Sequence, residues 1–292
     1  MQLTVQDILS RIRLLNIKSK KHSTDLLAGD YSTAFKGRGM SFSEVRDYNY
    51  GDDVRAIDWN VSARFNHPYI KVFEVEREMC MMLLVDVSAS TMFGTQGRSK
   101  QELIAELLAT LAFSAAKTGD KVGAVFFAEE VLEYFPPQKG SAHLMRILTS
   151  FLAQDAKANT GSNITVALQH IAKLVKQRSV SFLLSDMHSK DYNNALRICA
   201  RKHDLVGMHV YDTHDATLPN IGLLHVQDLE TKKVMLVNTN SATVRTQYEQ
   251  SFKAIQQTAK QHFLQAGARF VSINTNDNYH AQLHAFFRGL HA

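Results

Sequence analysis

The stretch Met79-Cys80-Met81-Met82-Leu83-Leu84-Val85-Asp86-Val87, followed at once by Ser88-Ala89-Ser90, decides how this chain folds. Its apolar run is short and unbroken, the pattern of a central strand covered on both faces. The run stops at a carboxylate, so Asp86 stands at the strand's carboxyl end. Downstream the texture alternates. A helix is expected from about Lys100 to Lys117, with Leu103, Ile104, Leu107, Leu108, Leu111 and Phe113 dominating one side and Thr118-Gly119-Asp120 ending it. Strand KVGAVFFA, a turn containing Pro136 and Pro137, and a helix over about Ala142 to Leu152 come next. Helix ITVALQHIAKLVKQ, strand SVSFLLSD, helix YNNALRICARKH and strand LVGMHVYD continue the alternation. The pair LLHVQD and KKVMLVN reads as a hairpin at a sheet edge. Helix YEQSFKAIQQTAKQHFLQAG, strand RFVSINT and helix HAQLHAFFRGL close the fold. Strands alternating with amphipathic helices imply right-handed crossovers, hence an α/β fold with a doubly wound, mainly parallel sheet and helices on both faces.

Upstream, Val5, Ile8, Leu9, Ile12 and Leu15 recur at helical spacing, so an amphipathic helix is expected over Val5 to Ile17. From Gly29 to Glu78 glycines and charges replace long apolar runs, which predicts short strands, turns and a one-turn helix. The domain division expected is an N-terminal region, 1–77, packed on a main domain, 78–292.

With 292 residues and 45% hydrophobic residues, the chain can bury an ordinary core. The formal charge of +5 comes from basic and acidic residues that are interspersed. The one basic cluster, Lys18, Lys20, Lys21 and His22, lacks interleaved aromatic residues, so a solvated face is expected there and no nucleic-acid partner. Cys80 and Cys199 lie in apolar stretches and suggest neither a disulfide framework nor a thiolate metal site. The amphipathic start does not read as a signal peptide, and no window has the uninterrupted apolar length of a transmembrane segment, so a cytoplasmic location is expected.

In an open parallel sheet, loops leaving the carboxyl ends of strands gather on one rim. Three rim loops here carry oxygen ligands: Asp86, Ser88 and Ser90 at alternate positions; Thr160-Gly161-Ser162-Asn163 ahead of the helix at Ile164; and Ser185-Asp186 after a strand. Carboxylate and hydroxyl oxygens suit magnesium, with manganese or calcium as alternatives, and water would complete the shell. One open position would accept a partner's carboxylate. Taken alone, Asp86, Ser88 and Ser90 read first as capping and turn formation, and it is the two further oxygen-bearing loops that favour the metal.

Asp86, Ser88 and Ser90 match the Asp-x-Ser-x-Ser motif of von Willebrand factor A domains, whose metal-ion-dependent adhesion site they open. Ser162 falls where those domains usually carry threonine, and Asp186 matches the aspartate of the third loop. The resemblance thus implies metal ligands Asp86, Ser88, Ser90, Ser162 and Asp186, with Thr160 the fallback for the second loop. A narrower resemblance lies upstream. Arg46-Asp47-Tyr48, Gly51-Asp52-Asp53-Val54-Arg55, Ile57-Asp58-Trp59 and Ser62-Ala63-Arg64 resemble the signature of the domain-of-unknown-function family number 58, and the likeness continues through Pro136-Pro137, Leu184-Ser185-Asp186, Tyr211-Asp212 and Gln227-Asp228-Leu229-Glu230. It implies a protein-interaction module, with a MoxR-type AAA+ ATPase as partner, an acidic client protein, and a role in protein assembly or maturation.

The upstream arginines and aspartates read first as an ion-pair and hydrogen-bond network. The sharper reading makes Arg46, Asp52, Asp53, Arg55, Asp58 and Arg64 a partner-docking surface. An enzyme is the competing class, since an aspartate ending a central strand also serves as a phosphatase nucleophile. Those phosphatases need a second acid two residues later, where this chain has Ser88. No nucleophile elbow, phosphate-cradling loop or dinucleotide fingerprint occurs in a suitable setting. The cluster His209, Asp212, His214 and Asp215 reads as exposed loop polarity.

Overall fold

The computed structural model describes residues 41–65, 67–74, 79–92, 94, 98–154, 161–189, 191–227 and 234–289. The expected helix over Val5 to Ile17, the basic cluster and Thr160 lie outside these residues. Two compact units are present, one of them Phe35–Glu78.

Within Phe35–Glu78, β1 (Ser41–Asp47) pairs antiparallel with β2 (Tyr69–Glu74), and the crossing between them holds a 3-10 turn (Val54–Ala56) and α1 (Trp59–Phe65). Acidic residues organise that crossing by capping. Asp53 accepts from the Arg55 amide at 2.9 Å, and Asp58 accepts from the amides of Asn60 and Val61 at 3.0 and 3.3 Å.

In the larger unit the expected alternation is present. The strands are β3 (Cys80–Asp86), β4 (Lys121–Phe127), β5 (Val131–Gln138), β6 (Val180–Ser185), β7 (Asp204–Tyr211), β8 (Leu223–Gln227), β9 (Val234–Asn238) and β10 (Arg269–Asn274). The helices are α2 (Lys100–Lys117), α3 (Ser141–Ala153), α4 (Ile164–Leu174), α5 (Asn193–Lys202), α6 (Thr213–Ala216), α7 (Ala242–Gln265) and α8 (Tyr279–Arg288). One sheet of six strands runs in the order β10-β7-β6-β3-β4-β5, parallel throughout except for β5. Every residue of β3 is buried, as its unbroken apolar run requires. Alternate residues face opposite layers. Met82 and Leu84 join Ile164, Leu168 and Ile171 of α4, Leu196 of α5 and Phe263 of α7 in one core cluster. On the other face Phe126 meets Phe151 of α3, and Phe182 meets Phe287 of α8.

The chain leaves β3 toward β4 on one side and later returns to β6 on the other. The carboxyl ends of β3 and β6 therefore flank the point where winding reverses, the place where open α/β sheets bind ligands.

Helix α2 starts on a capping box. Ser99 Oγ accepts from the Glu102 amide at 3.1 Å, and Glu102 Oε2 accepts from the Ser99 amide at 3.0 Å. Ser99→Ala is expected to lower stability by about 1 kcal/mol, measured as a shift of the urea midpoint at unchanged slope.

Three expectations are corrected. Pro136 and Pro137 belong to β5, not to a turn; β5 is an edge strand, where a missing N–H can face solvent. The hairpin β8–β9 exists but forms a two-stranded sheet of its own and is not an edge of the main sheet. Among the residues read as exposed loop polarity, His209 and Asp212 are buried. Asp212 caps α6 by accepting from the His214 amide at 2.9 Å. Among the described residues no helix is long and apolar enough to cross a membrane.

Candidate metal centre

Asp86 ends β3 fully buried, and both of its oxygens are engaged. Oδ1 accepts from the Ser88 amide at 2.9 Å, which folds the next residues into the 3-10 turn Ala89–Met92. Oδ2 accepts from Ser162 Oγ at 2.6 Å and from Ser185 Oγ at 2.7 Å. The hydroxyls of Ser88 and Ser90 share a hydrogen bond of 3.1 Å. One carboxylate thus gathers residues from the ends of β3 and β6 and from the start of α4. The Ser162 loop is held by the Asn163 amide, which donates to Ala128 O at 2.9 Å, and by the Ile164 amide, which donates to Ser189 Oγ at 3.1 Å.

Asp186 follows β6 and is 2% exposed. Its Oδ1 accepts from the His188 amide at 3.2 Å, whereas its buried Oδ2 has no hydrogen-bond partner. An unmade hydrogen bond on a buried acceptor costs about 1–3 kcal/mol. The Lys100 ammonium lies 3.8 Å from Asp186 Oδ2 and sits closer to Asp215, at 2.9 Å. Met187, next in the chain, adopts the left-handed conformation (φ 60°), uncommon for a long side chain. Its side chain is buried in the core cluster and its amide donates to Ser185 Oγ at 3.0 Å, which holds the bend in place.

Burial, and then the negative charge of Asp186, push the Asp86 carboxyl up to about 6, against the hydrogen bonds from Ser162 and Ser88. For Asp186 burial also acts upward, but Lys100 and His188 outweigh it, with help from Ser90, and hold this carboxyl below its usual range. His209, on neighbouring β7, is pushed down to about 4 by burial and is neutral at physiological pH.

The oxygens of Asp86, Ser88, Ser90, Ser162 and Asp186 come from the three expected loops. Among the described residues no three His, Cys, Asp or Glu side chains group as a metal cage. A site here would be hydroxyl-rich and all-oxygen, which matches a hard cation and not a zinc-type ion. The donors fit such an ion in a second respect: a positive charge would meet the Oδ2 of Asp186, which lacks a hydrogen bond, and relieve the repulsion that raises Asp86. Three residues around the site have other readings from sequence: Ser185 is named in its rim loop but not as a ligand, Asp215 is grouped with exposed loop polarity, and Lys100 reads only as the start of a helix.

The suggested docking residues divide. Arg46 donates to both oxygens of Asp52 at 2.9 and 2.8 Å, a bidentate pair that, with the Asn49 amide, lowers the Asp52 carboxyl. Asp53 and Asp58 are caps. Arg55, Arg64 and Trp59 are exposed.

A family model described as "Protein of unknown function DUF58" matches residues 44–258. The chain belongs to the DUF58 family. The match takes in the rim loops of Asp86, Ser162 and Asp186 together with the arginine- and aspartate-rich segment. Among relatives, the uncharacterized protein Rv1480 of Mycobacterium tuberculosis is 27% identical over 277 residues, covering 94% of this chain and 87% of that protein. Among solved structures, an aerotolerance-related membrane protein from Bacteroides fragilis is similar over 73% of this chain and 98% of its own, with 16% identity and a TM-score of 0.46. The SpRpn10 VWA domain is similar over 71% of this chain and 94% of its own, with 11% identity and a TM-score of 0.39.

Proposed function

We propose that this DUF58 protein is a metal-dependent protein-interaction module. Asp86, Ser88, Ser90, Ser162 and Asp186 would hold a divalent cation, magnesium first and manganese or calcium as alternatives. Bound there, the ion would supply a positive charge able to accept a carboxylate from an acidic client protein. The reading rests on one observation above others: the hydroxyl-ringed, fully buried carboxylate of Asp86 lies beside a second buried carboxylate, Asp186, that keeps one oxygen without a hydrogen bond. The chain's own contribution is positioning. Ser185 and the Ser88 amide fix the Asp86 carboxylate, and the His188 amide fixes Asp186. Family resemblance adds the partner, a MoxR-type AAA+ ATPase, and a place in protein assembly or maturation. Use of Asp86 as a phosphatase nucleophile is disfavoured, because its oxygens are committed to three donors at zero exposure and Ser88 occupies the place of the second acid.

Calorimetric titration of the chelator-stripped chain with magnesium and with manganese tests the reading. The native chain is expected to bind one ion. Asp86→Ala is expected to abolish binding, and Ser162→Ala to weaken it by at least about tenfold, the low end for losing even an outer-shell partner. Equal affinity in the native chain and in Asp86→Ala would refute the site. A partner that co-purifies with the native chain and is lost from Asp86→Ala would identify what the ion holds.

A further inference from the structure

Lys100 is the first residue of α2, directly after the capping Ser99, and it is 3% exposed. Helix formation does not explain it, since the first turn of a helix favours negative charge, and burying an ammonium is costly unless carboxylates surround it. Two carboxylates do. Its Nζ lies 2.9 Å from Asp215 Oδ2, and 3.8 Å from the Asp186 oxygen that has no hydrogen bond. Asp215 is itself fixed, because its Oδ2 accepts from the Asp212 amide at 2.9 Å. Asp212 is in turn held by Thr275 Oγ1, which donates to its Oδ2 at 3.1 Å. A flexible lysine stem therefore carries one positive charge between a firmly held acceptor outside the five proposed ligands and an under-satisfied acceptor among them.

We infer that Lys100 is a tethered counter-ion that competes with the divalent cation for Asp186, and that Asp215 is the seat that draws its ammonium away from the metal ligands. The inference rests on the metal-binding reading above and adds to it what sets the affinity. With no ion present the ammonium neutralises Asp186. An ion on Asp186 repels the ammonium, which keeps its shorter contact with Asp215. Charge at the rim is thus balanced in both states, and affinity depends on a residue that is not a ligand.

Magnesium titrations of the native chain, Lys100→Met, Asp215→Asn and the double variant separate the outcomes. Removing a unit charge a few ångströms from a divalent ion should tighten binding by at least about tenfold in Lys100→Met. Asp215→Asn should weaken binding in the native background, because Lys100 is left with Asp186, and should have less than half that effect, on a logarithmic scale, beside Lys100→Met. Unchanged or weaker binding in Lys100→Met, alongside a native chain that binds, overturns the inference and leaves the metal reading standing. Binding by Lys100→Met that Asp86→Ala abolishes, with none by the native chain, supports the inference and overturns metal binding by the native chain. No binding by either overturns both. Circular dichroism checks the fold of each variant. If Lys100→Met does not fold, Asp215→Asn alone decides, and an affinity equal to that of the native chain overturns the inference.

Discussion

Asp86→Asn is expected to make the metal-free chain more stable at neutral pH, by on the order of 2–3 kcal/mol, while it abolishes magnesium binding. The two effects share a cause. Burial and the neighbouring Asp186 push the Asp86 carboxyl from 3.8 up to about 6, so the folded chain holds this proton more tightly than the unfolded chain does. At pH below about 4 both states are protonated and the group imposes no penalty. As pH rises from about 4 the unfolded chain loses its proton first, and stability falls until the folded group has also ionised, just above the folded value. Asparagine carries no charge to desolvate and escapes the loss. Asp186 does not confuse the measurement, because its carboxyl is held below the usual range and its stabilising share disappears only in more acid solution. Urea unfolding in chelator at pH 4, 5, 6 and 7.5 should show Asp86→Asn gaining on the native chain across the series; His209, pushed down to about 4 by burial, makes both chains gain stability as pH rises through the same range, so the difference between the two curves carries the result. Parallel curves would mean that Asp86 is not a strained buried carboxylate. Added magnesium should restore the native chain alone, by about 2.7 kcal/mol at a hundredfold excess over the dissociation constant.

A site built on two buried carboxylates that repel each other leaves only part of itself legible in sequence. Met79 to Val87 announced a central strand because burial on both faces demands an unbroken apolar run, and Asp86 stood out as the charge that ended it. Ser88 and Ser90 were legible by alternation, and Ser162, over Thr160, only by its resemblance to the family's spacing ahead of the helix at Ile164. Ser185 was legible as a hydroxyl of the third rim loop but not as the group that holds Asp86, because ninety-nine residues separate them and only the pairing of β3 with β6 brings the hydroxyl to the carboxylate. Lys100 read as an ordinary residue at a helix start, since nothing local marks a lysine as buried. Asp215 was grouped with exposed polarity for the same reason. The hairpin β8–β9 illustrates the limit in the fold itself: alternation and a short turn specify which strands pair, but not which sheet the pair joins.

Phe263→Ala is expected to be the most destabilising single change away from the rim, at about 3–5 kcal/mol. Helix α7 is 24 residues long yet buries only Phe252, Ala259 and Phe263. Of these, Phe263 is fully buried and enters the core cluster between Tyr192 and Phe270, with ring centroids 6.5 and 5.4 Å away. The ring reaches so far under β7 that a methyl group on Gly207 would lie 2.6 Å from it, so this strand position has no room for a side chain. Gly207→Ala should therefore destabilise the native chain by about 1–3 kcal/mol, and far less beside Phe263→Ala, where the new methyl enters the vacated space. None of the proposed ligands lies on α7. Magnesium affinity of Phe263→Ala, measured well below its melting temperature, should match the native value. A fall in affinity that tracks the loss of stability would instead mean that the rim is set by how α7 packs, and that the ion reads the condition of the whole core.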